Sequence, residues 1–408
     1  MEFDIKRQWV NVGLGLEKKL ADQMLEDICG DAIEFLLNNE ERVANFRRKR
    51  DDILKRGIQF NDKIGAGYWT LFEETQSMLG FEEPVNLFCG AQMNNACAML
   101  SPDPEQEPHI ICYGSGYLHT GNRDVTRMIM AHELGHLIHK DAVINTLLRY
   151  IYNEESLLPP NIRLTKNVMQ QLREIRCDRY GYLVAENWER WLEFRCQKMF
   201  SLNFKMLGIN AAGFLSYCRE QVQELQEHPE KVVHIDHPEI AVRVRAMEIF
   251  ATNDNLDDIE RETELLVDLI SQYTGTPRQK LFAKFYSSAG LLIAGRDGKV
   301  TESEKKVIKQ SLARMTARPS KYIQDFDMAE AQVVFDQSVE GLLNDSQSNA
   351  EDMLDYMISI CMAEQRLKKD DVEFVFDIAV NKFKMSKRDV LLAFRTKLGK
   401  DYKPLFRN

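Results

Sequence analysis

The sequence lacks long apolar runs, closely spaced cysteines and an excess of positive charge. No 18 consecutive residues are apolar, and the longest apolar stretch, 134–151, is interrupted by Lys140, Asp141 and Arg149. We therefore expect no membrane-spanning helix, which needs about 20 predominantly apolar residues. The N-terminal residues contain no apolar segment of the kind that a secretory signal requires, so we expect no such signal.

The chain has eight cysteines, and none of them forms a C-x-x-C pair. In a chain without a secretory signal, such cysteines are typical of reduced and mostly buried thiols, so we expect a cytoplasmic protein. The net charge of −10 excludes a globally basic nucleic-acid-binding protein, because phosphate groups are bound by a positive field. The sequence leaves the oligomeric state open.

A length of 408 residues, with 44% hydrophobic and 28% charged residues, is typical of a globular protein of two or three domains. Residues 276–408 are net basic, whereas the part before them is net acidic. The segment Tyr273-Thr-Gly-Thr-Pro277 between these parts has the composition of a linker. We therefore predict an N-terminal helical segment over 1–64 that packs on a domain over 65–275, followed by a separate domain over 276–408.

The spacing of apolar residues predicts that most of the chain is helical. Residues 17–37 place apolar side chains at helical intervals, and a second predicted helix over 42–56 is rich in arginine and lysine. This basic helix is typical of a solvated face, with docking of nucleic acid or a protein partner as the alternative. Three short apolar runs predict the strands of a small sheet, near 84–89, 96–100 and 109–113. The predicted fold class is α+β and mostly helical, with an all-α C-terminal domain.

The motif His132-Glu133-Leu-Gly-His136 lies in a segment with helical apolar spacing. Because residues four apart share one face of a helix, His132 and His136 can bind one Zn²⁺ through their imidazole nitrogens. Glu133 is then placed to remove a proton from a water that the zinc activates. Gly135 is unfavourable inside a helix, and we expect it to allow close packing of another element. The alternative is a surface helix with two ordinary histidines.

A catalytic zinc needs a third protein ligand and an open position for water. The residues after His136 do not match the metzincin motif, because His139 occupies its glycine position and Ala142 occupies its last histidine position. Downstream, Glu174 and Asp178 are again four residues apart on a predicted helix. One carboxylate can bind zinc while the other accepts a hydrogen bond from the free ring nitrogen of a histidine ligand. The alternative is an exposed pair of carboxylates that bridges to neighbouring arginines.

Together these motifs resemble the gluzincin metallopeptidases of the HtpX and type I CAAX prenyl endopeptidase group. Two further elements resemble that family, namely Asn95-Ala96 with the strand at 110–116, and His237-Pro238 followed by Arg243. The resemblance covers roughly residues 65–250 and implies a zincin-type metallopeptidase domain with zinc as its cofactor. Members of the family are commonly embedded in membranes, whereas this chain has no spanning stretch, which disfavours a prenylated or membrane-bound substrate.

The resemblance also implies a role for each matching residue. The implied zinc ligands are His132, His136 and Glu174, and Asp178 would orient His132. Glu133 would act as the general base and later as the proton donor.

Three further roles are implied near the substrate. His237 would lie close to the scissile carbonyl and stabilise the oxyanion, with Arg243 beside it. The alternative for His237 is a capping or core histidine before a proline. Asn95 and Ala96 would lie on the edge strand that aligns the substrate backbone.

The C-terminal part contains a weak internal repeat, in which residues 297–304 align with residues 364–371. In both copies an apolar helix ends, an acidic residue follows and a charged helix begins. Thr301 and Glu304 have the spacing of a capping box. These features resemble the TerB-like helical domains that are linked to tellurite resistance and stress responses.

The acidic residues of the first copy have two interpretations. The first is turn and cap chemistry, with Gly298 in the turn and acidic side chains in the first turn of the following helix. The alternative is a metal site at Asp297, Glu302 and Glu304. An EF-hand is excluded, because no loop of 12 residues with oxygen ligands follows.

These observations predict a zinc-dependent endopeptidase that cleaves peptides or unfolded proteins, with a C-terminal domain that docks a protein partner or gates the peptidase. The first alternative is a catalytically silent metal-binding or stress-response protein that acts through the TerB-like domain. The second is a sensor of metal stress. The presence of Glu133 beside the ligands favours the enzyme, because a structural zinc site is more often closed by a fourth cysteine or histidine.

Overall fold

The computed structural model describes residues 12–37, 39–90, 95–118, 122–185, 187–200, 202–228, 238–271, 276–323 and 328–403. The chain divides into two compact units, and the described part of the first ends at Ile270. The second unit takes the chain from Ser271 onward, next to the predicted linker. The predicted site residue His237 lies outside the described residues.

Helices account for 72% of the structure and a four-stranded sheet accompanies them, which confirms the predicted α+β, mostly helical class. The described α-helices of the first unit are α1 (Gly15–Asp27), α2 (Gly30–Leu36), α3 (Asn39–Leu54), α4 (Ala66–Met78), α5 (Ser115–Leu118), α6 (Arg123–Ile138), α7 (Ala142–Tyr152), α8 (Pro160–Ala185), α9 (Trp188–Phe200), α10 (Phe204–Leu207), α11 (Ala211–Glu227), α12 (Ile240–Thr252) and α13 (Leu256–Ser271). Among the described residues, no helix combines the length and apolar character needed to cross a bilayer.

The sheet contains β1 (Gly57–Phe60), β2 (Val85–Gly90), β3 (Ala96–Met99) and β4 (His109–Gly114). Its strand order is β1-β2-β4-β3, with β2 and β4 parallel and the other two pairs antiparallel. The last three strands confirm the three that the apolar runs predicted. β3 is therefore an edge strand, and its register pairs Cys97 with Cys112 of β4.

The N-terminal segment differs from its prediction in two places. The predicted helix over 17–37 is divided into α1 and α2, because Cys29 adopts a left-handed conformation with φ of 53°. The strand β1 was not predicted at all. Gly57 allows it to approach β2, since a Cβ atom at this position would lie 2.8 Å from the carbonyl oxygen of Cys89.

The helix α6, which carries the H-E-x-x-H motif, lies at the centre of the first unit. From Val125 to Leu137, every residue except Arg127 and His136 is buried. The helix contacts β3 and β4 on one side and the long helix α8 on the other. The predicted proline interruption is confirmed, because α7 ends before Pro159 and Pro160 begins α8, where its missing N–H costs little.

The second unit is all-helical in its described part. Its helices are α14 (Pro277–Ala294), α15 (Glu302–Leu312), α16 (Met328–Asp345), α17 (Asn349–Cys361), α18 (Lys369–Asn381) and α19 (Lys387–Asp401). They enclose a core that includes Phe285, Phe335 and Phe383. The two copies of the predicted repeat lie side by side, because Lys368 Nζ is 2.8 Å from Asp297 Oδ2 and Arg296 Nε is 3.5 Å from Asp371 Oδ1.

The carboxylates of the first repeat copy have partners within the protein. Thr301 and Glu304 form the predicted capping box at the start of α15. Glu302 pairs with Lys305 at 2.7 Å, and Asp297 pairs with Lys368. Within the described part of the second unit, no three ligand side chains lie close enough to hold a metal ion, which favours the cap interpretation.

Candidate metal centre

The start of α6 is fixed by its cap. The side chain of Asn122 accepts hydrogen bonds from the backbone N–H groups of Asp124 and Val125, at 3.0 and 3.3 Å. Such a cap satisfies donors that would otherwise be unpaired at the first turn. Asp124 adds a negative charge where the helix dipole favours one. His132 and His136 therefore lie about three turns after the capped start of this helix.

Two glycines allow α6 and α8 to cross closely. A Cβ atom on Gly135 would lie 2.9 Å from Tyr180 Cδ2 and 3.1 Å from Cys177 Sγ of α8. A Cβ atom on Gly181 of α8 would lie 2.9 Å from the carbonyl oxygen of Met128. The close packing that we expected at Gly135 is thus confirmed, and it brings the carboxylates of α8 to the histidines of α6.

The three predicted ligands meet at this crossing. His132 Nε2 lies 3.5 Å from Glu174 Oε2, and His136 Nε2 lies 3.5 Å from Glu174 Oε1. Ligand atoms about 2.0–2.1 Å from a tetrahedral ion are about 3.3–3.4 Å apart, so the donor spacing fits Zn²⁺. Among the described residues, no fourth side chain belongs to this group.

Each histidine turns its other ring nitrogen towards an aspartate. His136 Nδ1 is 2.8 Å from Asp141 Oδ2, within hydrogen-bonding distance. His132 Nδ1 is 3.0 Å from Asp178 Oδ1, although the angle is outside that of a hydrogen bond. Both Nε2 atoms are therefore directed to the shared position, as expected for imidazole ligands held by outer carboxylates. This places Asp178 next to His132, as the resemblance implied.

Two of the three candidate ligands, His132 and Glu174, are in the protonation state that binds metals, and His136 is not. Burial lowers the pKa of His132 to about 3, so this ring is neutral at pH 7, the form that binds metals. Burial alone would raise the pKa of Glu174, but Arg243 and the two histidines hold it well below its usual range. For His136, burial acts to lower the pKa, whereas Cys177 and Asp141 raise it above its usual value. Metal binding at His136 must therefore release a proton.

Two buried arginines hold the carboxylates in place. Arg243 of α12 bonds both oxygens of Asp178 at 2.7 Å, and its Nη1 lies 2.8 Å from Glu174 Oε2. Arg195 of α9 also contacts Asp178, which is fully buried. Arg243 was predicted close to the scissile carbonyl. That stays a prediction, and in the structure Arg243 contacts Glu174 and Asp178.

The ligands open onto a cleft of about 360 Å³. Glu133, Asn95 and Ala96 line this cleft together with the metal-ligand group. Because Gly114 N–H donates to the carbonyl oxygen of Asn95, the antiparallel pattern directs the backbone of Cys97 towards β4 as well. The N–H and C=O groups of Ala96 and Ala98 therefore lie on the outer edge of β3, beside the cleft.

Sequence reasoning missed the role of Asp141 and of Arg195. Asp141 follows α6, and its own N–H donates to the carbonyl oxygen of His136, because Lys140 has a left-handed φ of 51°. No glycine marks this turn, so the sequence gives no local signal for it. Arg195 lies in a helix with a high content of charged residues, and nothing in its spacing predicts complete burial.

A second group of potential ligands shares one histidine with the first. His136, Asp141 and Cys177 also lie close enough to hold an ion. However, Asp141 is already paired with Arg176 at 2.5 Å and lies 3.4 Å from Arg173 Nε. Two guanidiniums at Asp141 oppose a cation more than the single guanidinium of Arg243 at Glu174, so the first group is the better metal centre.

Compared with known proteins, the chain matches no family model, no curated protein and no solved structure.

The helix crossing leads to a first prediction. Replacing Gly181 with Ala places a methyl group 2.9 Å from the Met128 carbonyl oxygen, so α6 and α8 must move apart. We expect a loss of about 1–3 kcal/mol in the free energy of unfolding, as for other overpacked cores, and weaker zinc binding. Chemical unfolding and isothermal titration with zinc measure both. The control is Gly67→Ala in α4, where a Cβ meets nothing within 4 Å. Unchanged zinc affinity in Gly181→Ala would contradict the role of the crossing.

Asp141 leads to a second prediction. In Asp141→Asn, the ring of His136 loses its carboxylate partner, and loss of such a partner typically weakens metal affinity about 10–100-fold. Zinc titration against a competing chelator measures this change.

The matched control is Glu17→Gln. Glu17 of α1 is buried and pairs with Arg176, which also binds Asp141, but it has no described contact with His136. We expect this control to lose stability through the same arginine while it retains its zinc affinity. Equal losses of affinity in the two variants would mean that Asp141 acts through folding alone.

Proposed function

We propose that this chain is a zinc-dependent endopeptidase. The observation that carries the proposal is the meeting of His132, His136 and Glu174 in one cleft, with Glu133 beside them and an open sheet edge along one side. A purely structural zinc site has no need of a general base or of an accessible cleft. The resemblance to gluzincin metallopeptidases rests on the same residues and supports the same conclusion.

Bound zinc would supply Lewis acidity and would lower the pKa of water towards about 7. Glu133 accepts a proton from the attacking water as its oxygen bonds to the carbonyl carbon of the substrate. When the C–N bond breaks, Glu133 returns that proton to the departing amine, so the protons balance over the reaction. His237 is our candidate for stabilising the negative charge on the carbonyl oxygen, on the basis of the resemblance.

The substrate would bind in an extended conformation along β3. The outward N–H and C=O groups of Ala96 and Ala98 supply backbone hydrogen bonds, while the short alanine side chains leave the cleft open. Backbone hydrogen bonding of this kind is independent of side-chain identity. It therefore suits an enzyme that acts on peptides or unfolded proteins.

The general-base role leads to a third prediction. Glu133→Gln keeps the size of the side chain but removes the proton acceptor, so we expect turnover to fall by about 10²–10⁴-fold. Zinc content should remain unchanged, because Glu133 is not part of the ligand group. Cleavage of a denatured protein library and elemental analysis measure the two quantities in parallel.

Glu227→Gln, at an exposed position in α11, is the control for this experiment. It should retain both zinc and activity. Full activity in Glu133→Gln would refute the base role, whereas loss of zinc in that variant would show that its inactivity has another cause.

We further propose that the TerB-like second unit targets or gates the peptidase. This leads to a fourth prediction, for a chain that ends before residue 276. We expect the ratio of unfolded-protein cleavage to short-peptide cleavage to change by about tenfold, which is about 1.4 kcal/mol. Initial rates with both substrates measure that ratio. If the shortened chain has the same ratio and the same rates, the accessory role is wrong.

A further inference from the structure

Two cysteines face each other at the edge of the sheet. Cys97 of β3 and Cys112 of β4 are direct partners in the antiparallel register. Residues opposed in this way have Cα atoms about 4.5–5.5 Å apart, and their side chains project from the same face of the sheet. A disulfide needs a Cα separation of about 4.4–6.8 Å. The two strands therefore already have the backbone spacing for a bond between these sulfurs.

The same pair is accessible from outside the protein. Cys97 is exposed and Cys112 is half-buried, whereas four of the other cysteines are buried. On the β2 side of Cys112, a Cβ atom at Gly90 would lie 3.3 Å from Cys112 Sγ, so the glycine keeps space open beside this sulfur. A small oxidant can therefore reach the two thiols.

The surroundings give the two thiols different acidities. The neighbouring Cys97 thiol lowers the pKa of Cys112, and the backbone of Gly90 acts in the same direction, against burial and the charge of Glu133. The Cys112 thiol in turn raises the pKa of Cys97, together with burial. Because the thiolate is the reactive form, Cys112 is the better first nucleophile and Cys97 is the thiol that follows.

We propose that Cys97 and Cys112 form an oxidation site for peroxides, at which a reversible disulfide joins β3 to β4. An accessible thiol of low pKa beside a second thiol is the arrangement found in cysteines that respond to oxidants. The proposal goes beyond the peptidase function and does not depend on it, because its product is a bond between two cysteines of this chain.

The reaction consumes one peroxide molecule. The Cys112 thiolate attacks one oxygen of hydrogen peroxide, the O–O bond breaks, and the departing hydroxide takes a proton to become water. Cys112 is then a sulfenic acid. The Cys97 thiolate attacks its sulfur, the S–S bond forms, the S–O bond breaks, and a second water leaves. The two thiols lose two electrons and two protons, and the peroxide gains them.

The disulfide would act on the strand that borders the metal cleft. β3 is an edge strand, and Cys97 itself lines that cleft with Glu133. The bond would close a loop over residues 97–112, which restricts the opening of β3 away from β4. Opposed Cβ atoms are about 4.5–5.5 Å apart in a sheet, whereas a disulfide prefers about 3.8 Å. The resulting strain makes the bond easy to reduce, which suits a reversible modification.

Peroxide titration of the full-length chain with zinc bound tests the proposal. Digestion after glutamate without reductant separates the two cysteines, because Glu105 and Glu107 lie between them. We expect mass spectrometry to detect a linked pair of peptides that contains Cys97 and Cys112, and reduced glutathione should separate it again. Cys361 should stay reduced under the same conditions, because it is buried and burial raises its pKa to about 12.

Two serine variants identify the partners. In Cys97→Ser, the linked peptides should be absent, and dimedone should instead label the sulfenic acid that remains at Cys112. Cys89→Ser is the matched control, because Cys89 is also half-buried but lies opposite Ile58 and Tyr113. It should keep the link. A link from Cys112 to Cys89, or oxidation of either cysteine to the sulfinic acid without a link, would overturn the proposal.

Hydrogen exchange measures the effect on the strand. The amides of Cys97 and Met99 are directed towards β4 in the antiparallel pattern, so they exchange when β3 opens. We expect their exchange to slow by at least about tenfold in the oxidised wild type, and to be unaffected by peroxide in Cys97→Ser. Equal exchange rates in the oxidised and reduced wild type would contradict the joining of β3 to β4.

Discussion

The close crossing of α6 and α8 determines whether the candidate site exists. The histidines belong to one helix and Glu174 to the other, so their separation depends on how closely the two helix axes approach. Gly135 and Gly181 permit this approach from opposite sides, each meeting atoms of the facing helix. Sequence alone identifies the two pairs of side chains that are four residues apart. The glycines convert these pairs into one group, in which the Glu174 carboxylate lies 3.5 Å from the Nε2 atom of each histidine.

The parts of the site that were predictable are those that depend on local geometry. The spacing of His132 and His136 fixes a common helix face, and the spacing of Glu174 and Asp178 does the same on α8. The three strands at 85–90, 96–99 and 109–114 followed from short apolar runs with clear boundaries. Each of these patterns spans only a few residues, so it can be recognised from the local sequence.

The parts that were not predictable depend on tertiary contacts or on rare backbone conformations. Cys29 and Lys140 adopt left-handed conformations that sequence assigns to glycine or asparagine. The conformation of Cys29 divides a predicted helix. The conformation of Lys140 turns the chain so that the N–H of Asp141 donates to the carbonyl oxygen of His136. Arg195 is buried because Asp178 needs a counter-charge and because Trp191 and Phe194 cover its guanidinium. No local sequence pattern indicates that Arg195 is buried beside Asp178.

The buried charges are arranged so that each carboxylate behind the ligands has a partner in the protein itself. Arg243 spans Glu174 and Asp178, and Arg195 adds a second positive charge at Asp178. An unpaired carboxylate at this depth would take up a proton, and a protonated Glu174 would be a poor ligand. Arg243 keeps Glu174 ionised at neutral pH, because it helps to hold the pKa of that carboxyl well below its usual range.

This pairing sets the site apart from small zinc domains, in which the metal supplies the folding energy. Here the guanidiniums of Arg243 and Arg195 neutralise the carboxylates of Glu174 and Asp178. The crossing of α6 and α8 sets the spacing of the ligand atoms. The geometry for an ion is therefore part of the protein fold. Removal of Arg243 would take away the guanidinium that pairs with the buried Glu174, and breaking a buried ion pair in this way typically costs about 3–5 kcal/mol. Arg243 is thus needed both to stabilise the fold and to keep Glu174 in its metal-binding form.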